Sequence, residues 1–431
     1  MKTSFEHVAS LIDRDELRDL ALALGNIPSP PGGEAAVGQY LYDWLAKEGL
    51  SPRKVGMFPD RFNVVATLPG AGEGASLLFN AHMDTSKYLG DASFMRNPAD
   101  PVWHSAWQDG EMLVGDGVVN DKGPMAAFLL SAKAIRKAGV KLKGDLVLTM
   151  VCGEIGQEPV DEFTAPQYLS KEVGARYMVS RGVIADYAIV AEGTDFNWAW
   201  AGAGKAFFKM TVYGRGMYTP LLPARTLGSE PSLNAIVRMA SLIPAIEAWA
   251  AEYETRHTQD TPGGRMVPKV NIGAIRGGHP ARILSSPEVC SVYVDVRLAP
   301  SSDALGIKAE LLRLLRDSQM EGEVELFTYR RPQVAQGVEP LCDAITRAHE
   351  LLGMEKPGMA RAEHSSMWRD HIPMIEAGIA AITYGPGAAT GGPRLAMRID
   401  DLVKASRAFA LIAMDICNRP RAAALTPSLQ R

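Results

Sequence analysis

Four short stretches carry side chains whose types and spacing suit hydrolytic chemistry. In "FNAHMDT", His82 and Asp84 lie two residues apart at the end of an apolar run, so on an extended chain both point the same way. A carboxylate beside an imidazole can fix the ring's tautomer and raise its basicity as a metal ligand, or simply form a buried hydrogen bond. In "GDGVVNDKGP", Asp121 sits in a glycine-flanked loop just before a helix that starts near Pro124. Asp116 and Asn120 compete with it, and Asn-Asp-x-Gly is also ordinary turn chemistry. In "IVAEGT", Glu192 ends another apolar run. One histidine and two carboxylates leave an open coordination position and suit zinc, manganese or cobalt. The fourth stretch, "MVCGEIGQEP", places Glu154 where a buried run gives way to glycines, as ligand, general base or solvated loop residue.

These positions need a scaffold that brings strand ends together. The runs "NVVATL", "SLLFNAH", "DLVLTMVC" and "DYAIVAE" alternate with helical patterns such as 124–138, which predicts an α/β layer around a mostly parallel, buried sheet with helices on both faces. Such sheets bind ligands at the carboxyl ends of their strands. An amphipathic helix is expected after Asp13, burying Leu17, Leu20, Ala21 and Leu24, and a second one burying Val37, Leu41, Trp44 and Leu45. From residue 200 the texture changes. "KAFFKMTVYG" alternates like a half-exposed strand, 233–254 and 302–316 read as helices, and "KVNIGAI", "VCSVYVDVRL" and "EVELFTY" as strands. Residues 200–331 are therefore predicted to form an α+β insert in a discontinuous domain of residues 1–199 and 332–431.

A chain of 431 residues with net charge −4 has no basic field for nucleic acid and no polybasic patch for a membrane. Its N-terminal "MKTSFEHVASLIDRDELRDL" lacks the apolar core of a signal peptide. Cys152, Cys290, Cys342 and Cys417 are too scattered for a thiolate zinc site, and a reducing, cytoplasmic setting is expected.

Taken together, "HMDT", "NDKGPMAAFL", "GEIG", "AIVAEGT", "GRGMYTP", "VNIGAIRGGHPARIL", "VDVRLAP" and "ITYGPG" resemble the M20 metallohydrolases, the group of aminoacylase, acetylornithine deacetylase and carboxypeptidase G2. The resemblance implies a catalytic α/β domain, an inserted lid that often pairs two subunits as a homodimer, and hydrolysis of a C–N bond by metal-activated water. It also exposes departures. The family's two metals are bridged by the aspartate matching Asp121, and one of them takes the residues matching His82 and Glu192. The other takes the second residue of a Glu-Glu pair, here Gly153-Glu154, and a histidine at a position where this chain has Gly391. One divalent ion, manganese or zinc and in third place cobalt, is therefore expected on His82, Asp121 and Glu192. Glu154 is then released to act as general base, with Asp84 as its catalytic neighbour and Glu158 a weaker stand-in.

The lid histidine of the family aligns with Tyr218, a phenol able to donate toward developing negative charge. Arg369 and Arg282 fall in segments where the family binds anions, and an arginine fork suits a substrate carboxylate, although a structural ion pair of Arg369 with Asp370 or Glu376 competes. His279 and His364 share those segments. Trp103, His104, Trp107, Trp198, Trp200 and Trp368 would suit a flat substrate or anchor the core. The resulting expectation is hydrolysis of an amide, or of an aromatic amine of the nitroanthranilate kind with release of ammonia, in a small anionic substrate. A catalytically inactive binding protein is the alternative.

Overall fold

The structure, a computed structural model, describes residues 2–86, 95–224, 232–387 and 395–421, with only the backbone of Lys2 and Thr3. The chain packs into two compact units, the first Met1–Trp200, Val334–Ala360 and Arg369–Arg431, the second Ala201–Gln333 with Arg361–Trp368. The short segment 361–368, which sequence pattern assigns to the discontinuous domain, groups with the second unit. The reason is local: Ser365 Oγ donates to the Arg265 carbonyl at 2.7 Å and Ser366 Oγ accepts from Val267 N–H at 2.8 Å.

The first unit is α/β, built on a seven-stranded sheet. Its spatial order is Arg53–Phe58, Arg61–Leu68, Leu146–Val151, Leu77–His82, Tyr187–Val190, Ala380–Tyr384 and Trp198–Ala199. Leu77–His82 pairs in parallel with both of its neighbours, and Tyr187–Val190 pairs in parallel with Ala380–Tyr384. Side-chain alternation along each central strand feeds two apolar layers. Leu77, Phe79 and Ala81 join one cluster, in which Phe128 and Phe409 lie 5.9 and 5.1 Å from the Phe79 ring. Leu78 joins the other, with Val147, Val151, Ala188, Met178 and Met374. Helices Gly123–Lys137 and Ile399–Ile416 supply the first layer, Ala175–Ser180 and His371–Glu376 the second. A strand covered on both faces must be apolar throughout, which is why these strands read as continuous runs. The Asp13 side chain caps the helix Arg14–Gly25 by accepting from Glu16 N–H, and Leu17, Leu20, Ala21 and Leu24 are its buried face.

The second unit is a four-stranded antiparallel sheet in the order Val270–Gly277, Val289–Leu298, Gly204–Tyr213, Gly322–Arg330. Helices Ala235–His257 and Ala304–Asp317 cover one face, where Phe208, Met210, Val292, Val294, Leu242 and Leu311 form a core of their own. Asn234 and Asp303 cap those helices through their side chains. Val270–Gly277 is an edge strand, and exposed Ile275, Ile236 and Val237 lie on it and at the start of the long helix. Among the described residues no helix is long and apolar enough to cross a membrane.

Candidate metal centre

The parallel strands of the first unit deliver their polar residues at their carboxyl ends. His82 is the last residue of its strand, Glu192 lies two residues beyond Val190, and Glu154 three beyond Val151. Asp121 arrives from the loop ahead of helix Gly123–Lys137, a loop tied down where Lys122 Nζ donates to the Ile27 carbonyl at 2.8 Å. Burial, only partly offset by Asp116 and Asp84, lowers that ammonium to about 7. His82, Asp121 and Glu192 are all buried, and one ligand atom of each lies within 4.8 Å of the others, the only such group of acids, histidines or cysteines among the described residues. Neither carboxylate oxygen of Asp121 has a hydrogen-bond partner, although both are buried. Burial and the neighbouring Glu192 raise Asp121 well above the usual carboxylate range. A buried acid left without donors is costly unless a cation satisfies it. Three oxygen and nitrogen donors of this kind fit a divalent ion with an open position. The rivals are spent elsewhere: Asp116 accepts from Ser86 N–H at 3.1 Å and Ser86 Oγ at 2.7 Å, and Asn120 Oδ1 lies 3.0 Å from His82 Nε2. Gly391 lies outside the described residues.

Asp84 works differently from the expected imidazole–carboxylate pair. His82 Nδ1 lies 2.9 Å from the backbone carbonyl of Asp84 but 3.6 Å from its carboxylate. A carbonyl can only accept, so Nδ1 carries a hydrogen, and Nε2, which faces Asn120 Oδ1 at 3.0 Å, is open to a metal only when that amide contact is exchanged for the ion. The Asp84 carboxylate instead accepts from Glu154 N–H at 3.0 Å and Ile155 N–H at 2.7 Å. It therefore anchors the loop carrying Glu154. Burial pushes this carboxyl up to about 6.

Glu154 is itself paired. Lys171 Nζ donates to Glu154 Oε1 at 2.5 Å, and both side chains are nearly inaccessible. Burial alone would raise Glu154, but the ammonium of Lys171, with His82 and Arg369, leaves it below the usual range. Ser170 Oγ, 3.4 Å from Glu158 Oε1, ties that second glutamate to the same segment. Arg369 Nη1 stands 3.5 Å from Glu192 Oε2, an ion pair inside the site, and Glu376 binds Arg176 at 2.6 Å. Asp370 accepts from Asn80 Nδ2 at 3.0 Å, and Asn80 Oδ1 accepts from Thr149 Oγ1 at 2.8 Å. Burial and the charge of Glu154 push Asp370 up to about 7.

Of the remaining candidates, Tyr218, His279, Arg282, His364 and Trp368 belong to the second unit, and His104 with the other tryptophans to the first. Tyr218 is half exposed and bridges in sheet fashion to Ser285. His279 caps the turn Pro280–Arg282 through its ring, and Arg282 is exposed at its end. His364 is buried in the short helix Ala362–Ser365. Trp368 stands 5.7 Å from the buried Lys205 ammonium, also in this unit. Trp198 and Trp200 pack together against the main core. Trp103 and His104 line a cavity of about 90 Å³ that also touches Thr85 and Gly117, and Trp107 is half-buried on a short strand. Sequence reasoning missed Lys171 and Asn80 and gave Asp370 only as an ion-pair partner. A lysine in "LSKEVG" resembles a surface residue, and nothing local marks it as buried.

Comparison with known proteins follows this geometry. The family model of peptidase family M20/M25/M40 matches residues 78–415. The N-formyl-4-amino-5-aminomethyl-2-methylpyrimidine deformylase of Bacillus subtilis (strain 168) is 25% identical over 405 residues, covering 87% of this chain and 88% of its own. Human carnosine dipeptidase 1 shares the fold with a TM-score of 0.71 at 16% identity, over 96% of this chain and 98% of that one. A dinuclear metal-binding M20 peptidase from Bacillus subtilis does so with a TM-score of 0.58 at 16% identity, over 93% and 97% of the two chains. With the family model matched over most of its length, the chain belongs to peptidase family M20/M25/M40.

Proposed function

We propose that the protein is a metal-dependent hydrolase that cleaves a C–N bond in a small carboxylate-bearing molecule, with one divalent ion per chain on His82, Asp121 and Glu192. The observation that carries this reading is Asp121, whose two buried oxygens make no well-formed hydrogen bond and lie beside those of Glu192 and the ring of His82. A manganese or zinc ion bound there supplies a Lewis acid that polarises the substrate and acidifies water.

The chain's own residues supply the rest. Lys171 keeps Glu154 ionised and occupies Oε1, so Oε2 is the oxygen that takes a proton from the attacking water and returns it to the leaving nitrogen. Asp84 holds the Glu154 backbone in place, and Arg369 steadies Glu192 while offering its guanidinium to a substrate anion. By its alignment with the family's lid histidine, Tyr218 donates toward developing charge. Arg282, His279 and His364 are assigned to substrate binding on the same resemblance. The exposed edge strand Val270–Gly277 supports a homodimer through the second unit, and the four free cysteines support a cytoplasmic setting.

The deformylase relative, named for an N-formylated aminopyrimidine, favours amide hydrolysis of an N-acylated amine. Hydrolytic deamination of an aromatic amine is the second reading, favoured by the substitutions at the second-metal positions. A screen for formate or acetate release from N-acyl amines, run beside ammonia release from aryl amines such as nitroanthranilates, separates the two. In the reactive class, Glu154→Gln should lower kcat by at least about a hundredfold at saturating Mn²⁺, with one ion still bound there. An ion absent from that variant even at saturating Mn²⁺ would make Glu154 a ligand. A chain that takes up no divalent ion would instead be an inactive binding protein.

A further inference from the structure

The loop after strand Leu146–Val151 departs from the family's Glu-Glu pair at one position and from its second metal at the next. The structure gives both departures a common cause. Gly153 has φ +66, and a Cβ there would fall 2.8 Å from Val173 Cγ2, 2.9 Å from Arg61 Nη2 and 2.9 Å from the Ser170 carbonyl oxygen. A side chain there would force Val173, Arg61 or the Ser170 carbonyl to move, so with segment 166–173 packed as it is this position favours glycine over the family's glutamate. What fills the space is the segment 166–173. Arg61 is buried against Glu34, with bonds of 2.7 and 3.1 Å, and donates to the carbonyls of Pro166 at 2.7 Å and Leu169 at 2.5 Å. The residue delivered by that clamp is Lys171, whose ammonium meets the carboxylate aligned with the family's second-metal ligand.

We propose that Lys171 is a built-in cation that takes the electrostatic place of the second metal ion, fixing the site as mononuclear and positioning Glu154 for its work on water. This rests on the single-ion reading above. Charge balance supports it. Asp84, Asp121, Glu154, Glu192 and Asp370 are buried together around His82. One divalent ion with Lys171 brings three positive charges where two divalent ions bring four, and Arg369 adds its own beside Glu192. Unlike an ion, the ammonium cannot be diluted or chelated away, and its N–H groups take up the Glu154 oxygen that would otherwise coordinate a metal. Lys171 acts through Glu154 and is a positioning residue.

The test is a charge cycle on the full-length chain, read by metal content and manganese affinity. Plasma mass spectrometry after equilibration with excess Mn²⁺ should find one ion per chain in the wild type and in Lys171→Arg. Glu154→Gln leaves the ammonium uncompensated and should weaken manganese binding by about tenfold or more. Lys171→Met should tighten the first ion or admit a second, weaker one that disappears in the Lys171→Met/Glu154→Gln double variant. Activity should return with Lys171→Arg, and the low-pH limb of kcat/KM should move up in Lys171→Met as Glu154 loses its partner. If Lys171→Met does not fold, Glu154→Gln and Lys171→Arg still decide. Two ions per wild-type chain, the second lost in Glu154→Gln, overturn the proposal. So does a manganese affinity that stays within twofold of wild type across the cycle, which leaves the single-ion hydrolase standing. A wild-type chain that binds no ion overturns both.

Discussion

Replacing Asp84 by asparagine separates two roles that a carboxylate beside a metal-binding histidine can play. In the structure the carboxylate takes two backbone N–H groups, those of Glu154 and Ile155, while the ring of His82 is held by the Asp84 carbonyl. Asparagine keeps that carbonyl and one acceptor oxygen, but turns an NH2 group toward the other N–H. Hydrogen bonds to a charged acceptor contribute about 1.5–3 kcal/mol each, and a buried donor left without a partner costs about 1–3 kcal/mol. Part of this is offset, because the carboxyl is already pushed up to about 6 by burial and its charged form is not cheap to keep. A net loss of about 2–4 kcal/mol in stability follows. The loss falls on the loop that carries Glu154, so kcat of the metal-saturated enzyme should drop by about ten- to a hundredfold. Manganese affinity should change by less than about fivefold, since the Asp84 carbonyl that holds His82 Nδ1 is kept.

Urea unfolding, isothermal metal titration and steady-state rates at saturating Mn²⁺ read these three quantities separately. A variant that loses metal affinity a hundredfold while its metal-saturated kcat is unchanged would refute this reasoning, because the carboxylate would then be acting on His82 and not on the loop.

Other perturbations test other parts of the site. With chelator present, stability should fall between pH 5 and pH 8: burial raises Asp84 to about 6 and Asp370 to about 7, so the stability present at low pH is lost as pH rises through those values. Thermal unfolding at the two pH values checks this, saturating Mn²⁺ should reverse the slope, and a melting temperature that rises with pH without metal would contradict it. Asp121→Asn should abolish metal binding yet leave the chelated protein at least as stable as wild type, since burial and Glu192 outweigh what favours the charge there; a clear drop in the chelated melting temperature would contradict this. Gly153→Ala should cost about 2–4 kcal/mol, from its left-handed backbone and the contacts at 2.8–2.9 Å, and a loss under about 1 kcal/mol in urea unfolding would mean the segment 166–173 yields easily.

The sequence made the scaffold readable because the central strands are covered on both faces and show it as unbroken apolar runs, while the second unit's strands alternate. Helix starts were legible where a side chain caps them, as at Asp13. His82, Asp121 and Glu192 stand out because each closes or opens a regular element, so local pattern locates it. Lys171 does not: its segment has little regular structure and its burial is created by Arg61, which is more than a hundred residues away in sequence. Asp370 and Asn80 meet across 290 positions. The use of Asp84 was also hidden, since choosing between its carbonyl and its carboxylate as the partner of His82 requires the turn itself.

This distribution has a physical basis. Apolar periodicity is a one-dimensional signal, because burial repeats along the chain with the period of its element. Charge compensation in a buried site is three-dimensional, and any element that reaches the site can supply it. The first unit can hold so many buried acids because its stability comes from the two apolar layers around the sheet, not from the site. Strand ends lie outside those layers, so polar residues there can be exchanged with little effect on the strands beneath. Substitutions at the strand tips can therefore alter metal number and reaction while the fold persists, which is why the family's architecture survives here at 16% identity to human carnosine dipeptidase 1. A chain of this fold consequently has to be read for its compensating charges before its metal count is assumed.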